Sequence, residues 1–312
     1  MANPLRSDTH IDVGLSNISI RYTNADFVGE ILFKPTAVSK DTNKYWVYGT
    51  EHFRLENDRR APGTRARSVD WSVSSSTYSL EEHALEKPIA DEDRDDADPP
   101  LALEIDSTEM LTELIKLRLE YDAATLATTY TNYASGHYRD LSATGYKQWD
   151  DFAGSDPMED VRAARSKVHS QIARNPNVMV IGKQVFEVLK NHPKILARIA
   201  HTARGVVTTE LLASLFEVDE VAVGGAIRNT AKEGATASNA YVWGKNVVLA
   251  YRPPTTSRKM IALGTVFRKQ GFRQTEMWRE SPVKSDFVKV TDKYHLKQLS
   301  DIAGYLIYNV IA

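Results

Sequence analysis

The chain has 312 residues, 42% hydrophobic and 26% charged, with 39 Lys and Arg against 41 Asp and Glu for a net charge of −2. That apolar content suffices for one large core or a few smaller ones, and the charge content is too ordinary for global disorder. The charge balance argues against a dedicated nucleic-acid binder, and the absence of cysteine removes disulfides, thiolate metal sites and cysteine nucleophiles.

No apolar run approaches the ~20 residues of a membrane span. Residues 1–8, Met-Ala-Asn-Pro-Leu-Arg-Ser-Asp, have no signal-type apolar stretch, so a soluble, cytosolic protein without a membrane partner is expected. Residues 1–26 are polar, with a weak alternation at Ile18, Ile20 and Tyr22. They are expected to form an extended arm whose backbone finds partners elsewhere, as on a neighbouring subunit.

Between 27 and 90, β-type pieces at 45–48 and 69–73 flank a polar tip at 56–67, with Pro62-Gly63 in the turn slot. The pattern predicts a long two-stranded excursion, and a lone hairpin is marginal in water. It needs a surface to lie on. Residues 91–98, Asp-Glu-Asp-Arg-Asp-Asp-Ala-Asp, put six acids in eight positions before Pro99 and Pro100. They read as a solvated bend rather than a calcium loop, which would want a Gly at its sharp turn and a later carboxylate.

The longest helix follows. Asp106 is expected to cap it with Glu109 completing the pair. Met110, Leu111, Leu114, Ile115, Leu117, Tyr121, Ala124 and Leu126 supply the apolar stripe, and Glu109, Glu113, Lys116 and Glu120 the opposite one. Continued to about Tyr133, it would be roughly 40 Å long.

A second helix starts from Asp156, Pro157 and Glu159 and runs to about Arg174. A strand at 178–181, helices at 183–190, 194–200 and 208–216, and strands at 218–228 and 241–251 around a small-residue loop at 230–240 predict a compact mixed unit. Strands at 260–269, 271–279, 286–290 and 304–311 close the chain.

No catalytic signature holds. Gly182-Lys183 and Gly244-Lys245 lack the earlier Gly and the following Ser or Thr of a phosphate loop, and Gly224-Gly225 reads as a bulge or turn. His10, His52, His83, His137, His169, His192, His201 and His295 never fall four apart as ligands on one helical face would. No catalytic, cofactor-binding or metal residue is assigned, and the chain is expected not to be an enzyme. Arg59, Arg60, Arg65 and Arg67 form the most informative charge cluster. It reads as a solubilising loop tip or as a docking surface for carboxylates of a neighbouring subunit, which guanidinium forks suit; a phosphate-binding tip is a weaker third reading, because no aromatic platform lies between the arginines.

Four stretches now carry a resemblance. They are Thr77–Leu101; Asn175–Gly182 with Val185, Phe186, Leu189, His192 and Pro193; Tyr241–Tyr251; and Asp301–Ile311. In order and character they resemble the extended-loop exit, axial-domain entry, later axial strand and closing peripheral strand of tailed-bacteriophage major capsid proteins. That resemblance implies an α+β, Hong Kong 97-type capsid fold. Its parts would be an N-terminal arm (1–26), an extended β-hairpin loop (27–98), a peripheral domain with a long spine helix (99–177), an axial domain (178–259) and a return to the peripheral sheet (260–312).

It also implies pentamers and hexamers of an icosahedral shell around double-stranded DNA contacted non-specifically, with a portal protein, sometimes a decoration protein, and procapsid maturation. Localisation would be the virion head, assembled in the host bacterial cytoplasm. Some family members begin with a scaffolding segment; here the arm starts almost at once, which implies a separate scaffolding protein. Others crosslink a lysine to an asparagine. Lys34, Lys40, Lys44 and Asn309 fit by type, but nothing fixes a pair. A bacterial nanocompartment shell shares the architecture, and a metabolic enzyme with an α/β core at 178–251 is the remaining alternative.

Overall fold

Two sheets and one long helix across both organise the computed structural model. It describes residues 10–11, 27–47, 53–66, 68, 74–95, 102–199, 207–232, 234–254, 261–271 and 273–312. In chain order the first elements are β1 (His10–Ile11), α1 (Gly29–Leu32), β2 (Pro35–Val38), β3 (Thr42–Val47), β4 (Ser74–Ser79), β5 (Glu81–Ala90), α2 (Asp91–Asp95) and α3 (Leu103–Thr128). Next come β6 (Tyr138–Asp140), α4 (Pro157–Ile172), β7 (Val178–Gly182), α5 (Lys183–Lys190), α6 (Pro193–Ile199), α7 (Thr209–Phe216), β8 (Glu220–Gly224), β9 (Ile227–Asn229) and β10 (Asn239–Tyr241). The last are β11 (Val247–Ala250), β12 (Gly264–Lys269), β13 (Gln274–Glu280), β14 (Ser285–Gln298) and β15 (Gly304–Tyr308).

The first sheet is built on β14. Strand β13 pairs with its first half and β12 with its second, while β5 runs along its other edge from Ser285↔Ala90 to Tyr294↔Glu81. Strands β1 and β2 add to β13 and β12. The sequence pattern predicts only 286–290 here, because Thr291–Gln298 is polar and lacks an apolar run. Pairing with β5 up to Tyr294 and with β12 from Tyr294 to Gln298, not side-chain propensity, makes it strand.

The second sheet has the order β6-β15-β11-β7-β8. Its central strands are buried on both faces, which explains their unbroken apolar runs. Met179, Ile181, Val247, Leu249 and Ile307 face the helices α4 to α7, whereas Val178, Val180, Val248, Ala250 and Leu306 face α1 and the second half of α3. Strand β15 pairs with β11 and β6. Residues 304–308 therefore lie in the second sheet, apart from β12 to β14, because a run buried on both faces fits only inside a covered sheet. The expected strands at 218–228 and 241–251 also divide. The chain leaves the sheet after Gly224, and β9 and β10 pair only with each other before β11 re-enters. Gly182 permits the close passage of that re-entry, since a Cβ there would lie 1.9 Å from the Gly244 carbonyl oxygen.

Two expectations for the long helix are corrected. It begins at Leu103, and its N-cap, Ala102, offers no side-chain hydrogen bond; Asp106 lies in the first turn, where its charge still meets the helix's positive end. The second correction concerns its faces. Leu111 and Ile115 pack on Ile89, Val288 and Val290 of the first sheet, while Leu119, Ala123, Ala124 and Ala127 pack on the second. Changing partners along its length, the helix leaves Met110 and Leu114 exposed and buries Glu120 to 2% exposure. By contrast, Asp156 caps α4 as expected, accepting from the N–H groups of Met158 and Glu159.

Glu120 ties three segments together. Its Oε1 accepts from Val28 N (2.9 Å) and Trp243 Nε1 (2.5 Å), and its Oε2 from Gly29 N (2.6 Å). Burial pushes this carboxyl up, and the three donors oppose the push. Gly29 must be glycine, because a Cβ would meet Glu120 Oε2 at 2.7 Å and the Ala123 methyl at 2.9 Å.

His192 is fully buried and has one tautomer. Lys194 N–H donates to Nδ1 (3.3 Å), so Nε2 carries the proton and donates to Ser155 Oγ (3.1 Å).

Two outcomes are expected. Glu120→Ala leaves three buried N–H groups without acceptors and should cost about 3–5 kcal/mol in denaturant unfolding of the soluble subunit. A loss below about 1 kcal/mol would show that the knot is dispensable. His83, His137, His192 and His295 all have pKa values lowered chiefly by burial. Their stabilising contribution is therefore complete above about pH 6.5 and lost as the pH falls through the depressed folded values. Thermal melting from pH 7.5 down to 4.5 should show that loss, and His192→Gln should remove part of the slope.

Candidate functional site

The most unusual surface is the hairpin of β3 and β4. Its six-pair register runs from Thr42↔Ser79 to Val47↔Ser74. The base is firmly seated: the Tyr78 ring stacks on Phe267 at 4.5 Å, Tyr45 lies 5.6 Å from the same ring, and Leu80 closes the cluster. Asp41 adds a charged pin, bonded to Lys269 (2.5 Å) and Lys293 (2.9 Å), and hydrogen bonds from these ammonium groups hold its carboxyl below the usual range. Strand boundaries differ from the expected 45–48 and 69–73. The pairing lies closer to the sheet, where Phe267 and the lysines hold it; residues 69–73 fall outside the described part.

Beyond Tyr45 the support ends. Trp46 is 59% exposed, Phe53 60% and Leu55 97%. The turn organises itself: Thr64 N–H and Oγ1–H both donate to the Ala61 carbonyl, Gly63 takes φ 79°, and Asn57 Oδ1 accepts from Arg59 N–H. Arg59, Arg60 and Arg65 are exposed, and none has an ion pair among the described residues. Arg67 lies outside the described residues. The structure thus brings three of the four predicted arginines onto one projection with bare apolar side chains beside them. Exposed apolar side chains beside unpaired charge mark a candidate interaction surface.

The acidic run is not the bare bend its composition suggests. Residues 91–95 form α2; Asp91 pairs with Arg279 (2.6 Å), and Arg94 pairs with Asp286 (2.6 Å) and Glu104 (2.9 Å). The Arg279 hydrogen bond holds the Asp91 carboxyl below its usual range. These partners lie up to 188 residues away in sequence, so no local pattern could reveal them. Arg94, alone among the acids, was the one hint.

A shallow groove of about 580 Å³ lies between α4, α6 and α7. Three cations of its lining are paired within it: Lys194 with Asp156 at 3.0 Å, Arg162 with Glu159 at 2.7 Å and Arg165 with Glu217 at 2.5 Å. Among the described residues no three His, Asp or Glu side chains converge as a metal site requires.

Known proteins share this arrangement. A family model described as phage major capsid protein E matches residues 117–290. Over 306 residues the chain is 35% identical to the major capsid protein of Burkholderia phage BcepMu, covering 96% of each. The crystal structure of a phage-related protein from Bordetella bronchiseptica RB50 superposes with a TM-score of 0.77 at 27% identity, over 97% of this chain and 98% of that one. The mature capsid of bacteriophage PhiM1 shares the fold at 12% identity, with a TM-score of 0.57 over 93% of this chain and 89% of that one. The α+β architecture is thus of Hong Kong 97 type, and the chain belongs to the phage major capsid protein family, whose members build the shell of the virion head.

Proposed function

We propose that the chain forms pentamers and hexamers of an icosahedral shell around double-stranded DNA, with the β3–β4 hairpin as the clasp between neighbouring subunits. One observation carries this reading. The hairpin has a base pinned by packing and ion pairs, and a tip where Arg59, Arg60 and Arg65 make no ion pair among the described residues and Phe53 and Leu55 stand exposed. Arg59, Arg60 and Arg65, with Arg67 completing the set in sequence, would dock on carboxylates of an adjacent copy. A closed shell presents such a neighbour to every copy by symmetry.

The role is mechanical rather than catalytic. His137, His192, Asp41, Asp91 and Glu120 are held in structural bonds, and the near-neutral net charge suits a container that contacts DNA without binding it specifically. Assembly in the host cytoplasm with a separate scaffolding protein, a portal and a possible decoration protein fits this role. The nanocompartment alternative is not favoured, because the relatives matched along most of the chain are phage proteins.

The proposed division keeps the arm at 1–26, the loop at 27–98, the peripheral part at 99–177, the axial part at 178–259 and the return at 260–312. In that division the return segment serves both sheets, because β15 lies apart from β12 to β14. Maturation would shift the hairpin and the first half of α3 against the second sheet.

Replacing Arg59, Arg60 and Arg65 together by Ala should leave the unfolding free energy of the soluble subunit within about 0.5 kcal/mol, as expected of exposed sites. Particle yield by sedimentation and negative-stain microscopy should fall by about ten-fold or more, since each interfacial arginine lost costs about 1 kcal/mol or more. Unchanged yield would remove the clasp from the reading.

A further inference from the structure

An aromatic and acidic cluster sits at the far end of the long helix. Tyr130 opens the single 3-10 turn after α3, Tyr138 lies on the edge strand β6, and Tyr308 lies on β15 opposite Asp140. The Tyr130 ring is 5.5 Å from that of Tyr138 and 5.8 Å from that of Tyr308, nearly parallel to the latter. Tyr130 is half exposed, and Tyr138, Tyr308 and Asp140 are partly so.

Asp140 has neutral partners only. Its Oδ1 accepts from Ser142 N (2.9 Å), Ser142 Oγ (2.7 Å) and Asn309 Nδ2 (3.0 Å), and no cation pairs with it among the described residues. Burial pulls this carboxyl up, but those hydrogen bonds outweigh it and leave it below its usual value, ionised at neutral pH. The cluster is therefore a fixed negative charge beside three electron-rich ring faces.

That chemistry selects its ligand. A phosphate or carboxylate would be repelled by Asp140, and an apolar side chain alone would leave the carboxylate desolvated and unpaired. A guanidinium satisfies both parts, stacking its plane on a tyrosine while its N–H groups reach the carboxylate. The same chain carries arginines in the complementary condition: Arg59, Arg60 and Arg65 are exposed and make no ion pair among the described residues. An unmatched cation at one place and an unmatched cation acceptor at another, repeated on identical copies, define a head-to-tail contact that closes into a ring.

We infer that Tyr130, Tyr138, Tyr308 and Asp140 receive an arginine of the hairpin tip from a second copy of this chain. The inference rests on the clasp reading and names its receiving surface. An alternative landing place is the exposed start of α3, where Met110 and Leu114 lie among Asp106, Glu109 and Glu113.

Because the chain has no cysteine, paired substitutions report proximity without background. In assembled particles, Arg60→Cys combined with Ser142→Cys is expected to give a ladder of covalent multimers on a denaturing gel after treatment with a short bifunctional thiol crosslinker, because an arginine reaching a carboxylate keeps the two backbones farther apart than the about 7 Å that a direct disulfide bridges. Arg60→Cys combined with Met110→Cys is expected to give monomer. A ladder in the second pair only, or in neither, overturns the receiver. The clasp reading fails separately, through undiminished assembly of the triple-alanine variant.

A charge exchange supplies a second readout that does not depend on crosslinking. Asp140→Arg alone and Arg60→Asp alone should each cut particle yield by about ten-fold, and the double variant should restore most of it. Failure of the double variant to recover, with subunits that melt normally, would overturn the pairing.

Discussion

A single buried carboxylate holds the architecture in register. Glu120 accepts from the backbone of Val28 and Gly29 and from the indole of Trp243, so the start of the described body, the middle of the long helix and the approach to β11 meet at one side chain. A carboxylate is suited to this task because two oxygens can serve three donors converging from different directions. Buried N–H groups cannot be left empty without a cost of about 1–3 kcal/mol each, so the three segments cannot drift apart independently. Trp243 in turn packs against Gly224, at the point where the chain leaves the second sheet.

From that fixed point the two halves of the long helix differ in chemistry. The half beyond Glu120 presents Ala123, Ala124 and Ala127 to a dry sheet face, where small side chains allow close approach. The half before it faces the first sheet with Ser107, Thr108 and Thr112 as well as Leu111 and Ile115. Nearby, Asp292 is buried between Arg273 at 2.9 Å and Arg268 at 3.4 Å. An apolar contact holds firmly in one arrangement, whereas polar groups can exchange partners at smaller net cost. The two halves of the helix thus meet their sheets through different chemistry.

The surfaces left over have the opposite character from the interior. Ion pairs at Asp41, Asp91 and Asp286 seat the hairpin and the acidic helix on the first sheet, and then the support stops. A monomer gains little from a projecting arginine tip or an exposed tyrosine cluster. On the proposed clasp, identical neighbours would gain from both, and stability would become a property of the assembly.

The sequence by itself determined the parts. The capped helix at Asp156, the apolar strand at 178–182, the Pro-Gly turn, the long helix, and the arginine tip follow from local rules of capping, periodicity and turn chemistry. These act within a few residues and can be read there. What only the tertiary structure decided was partnership. The length of β14, the sheet that β15 enters, the burial of Glu120, the pairing of Arg94 and Arg279, and the meeting of Tyr130, Tyr138 and Tyr308 all depend on residues far apart in the chain. Such contacts form because packing carries a helix from one sheet to another and because a polar strand becomes regular once neighbouring strands pair with it. No local periodicity carries that information.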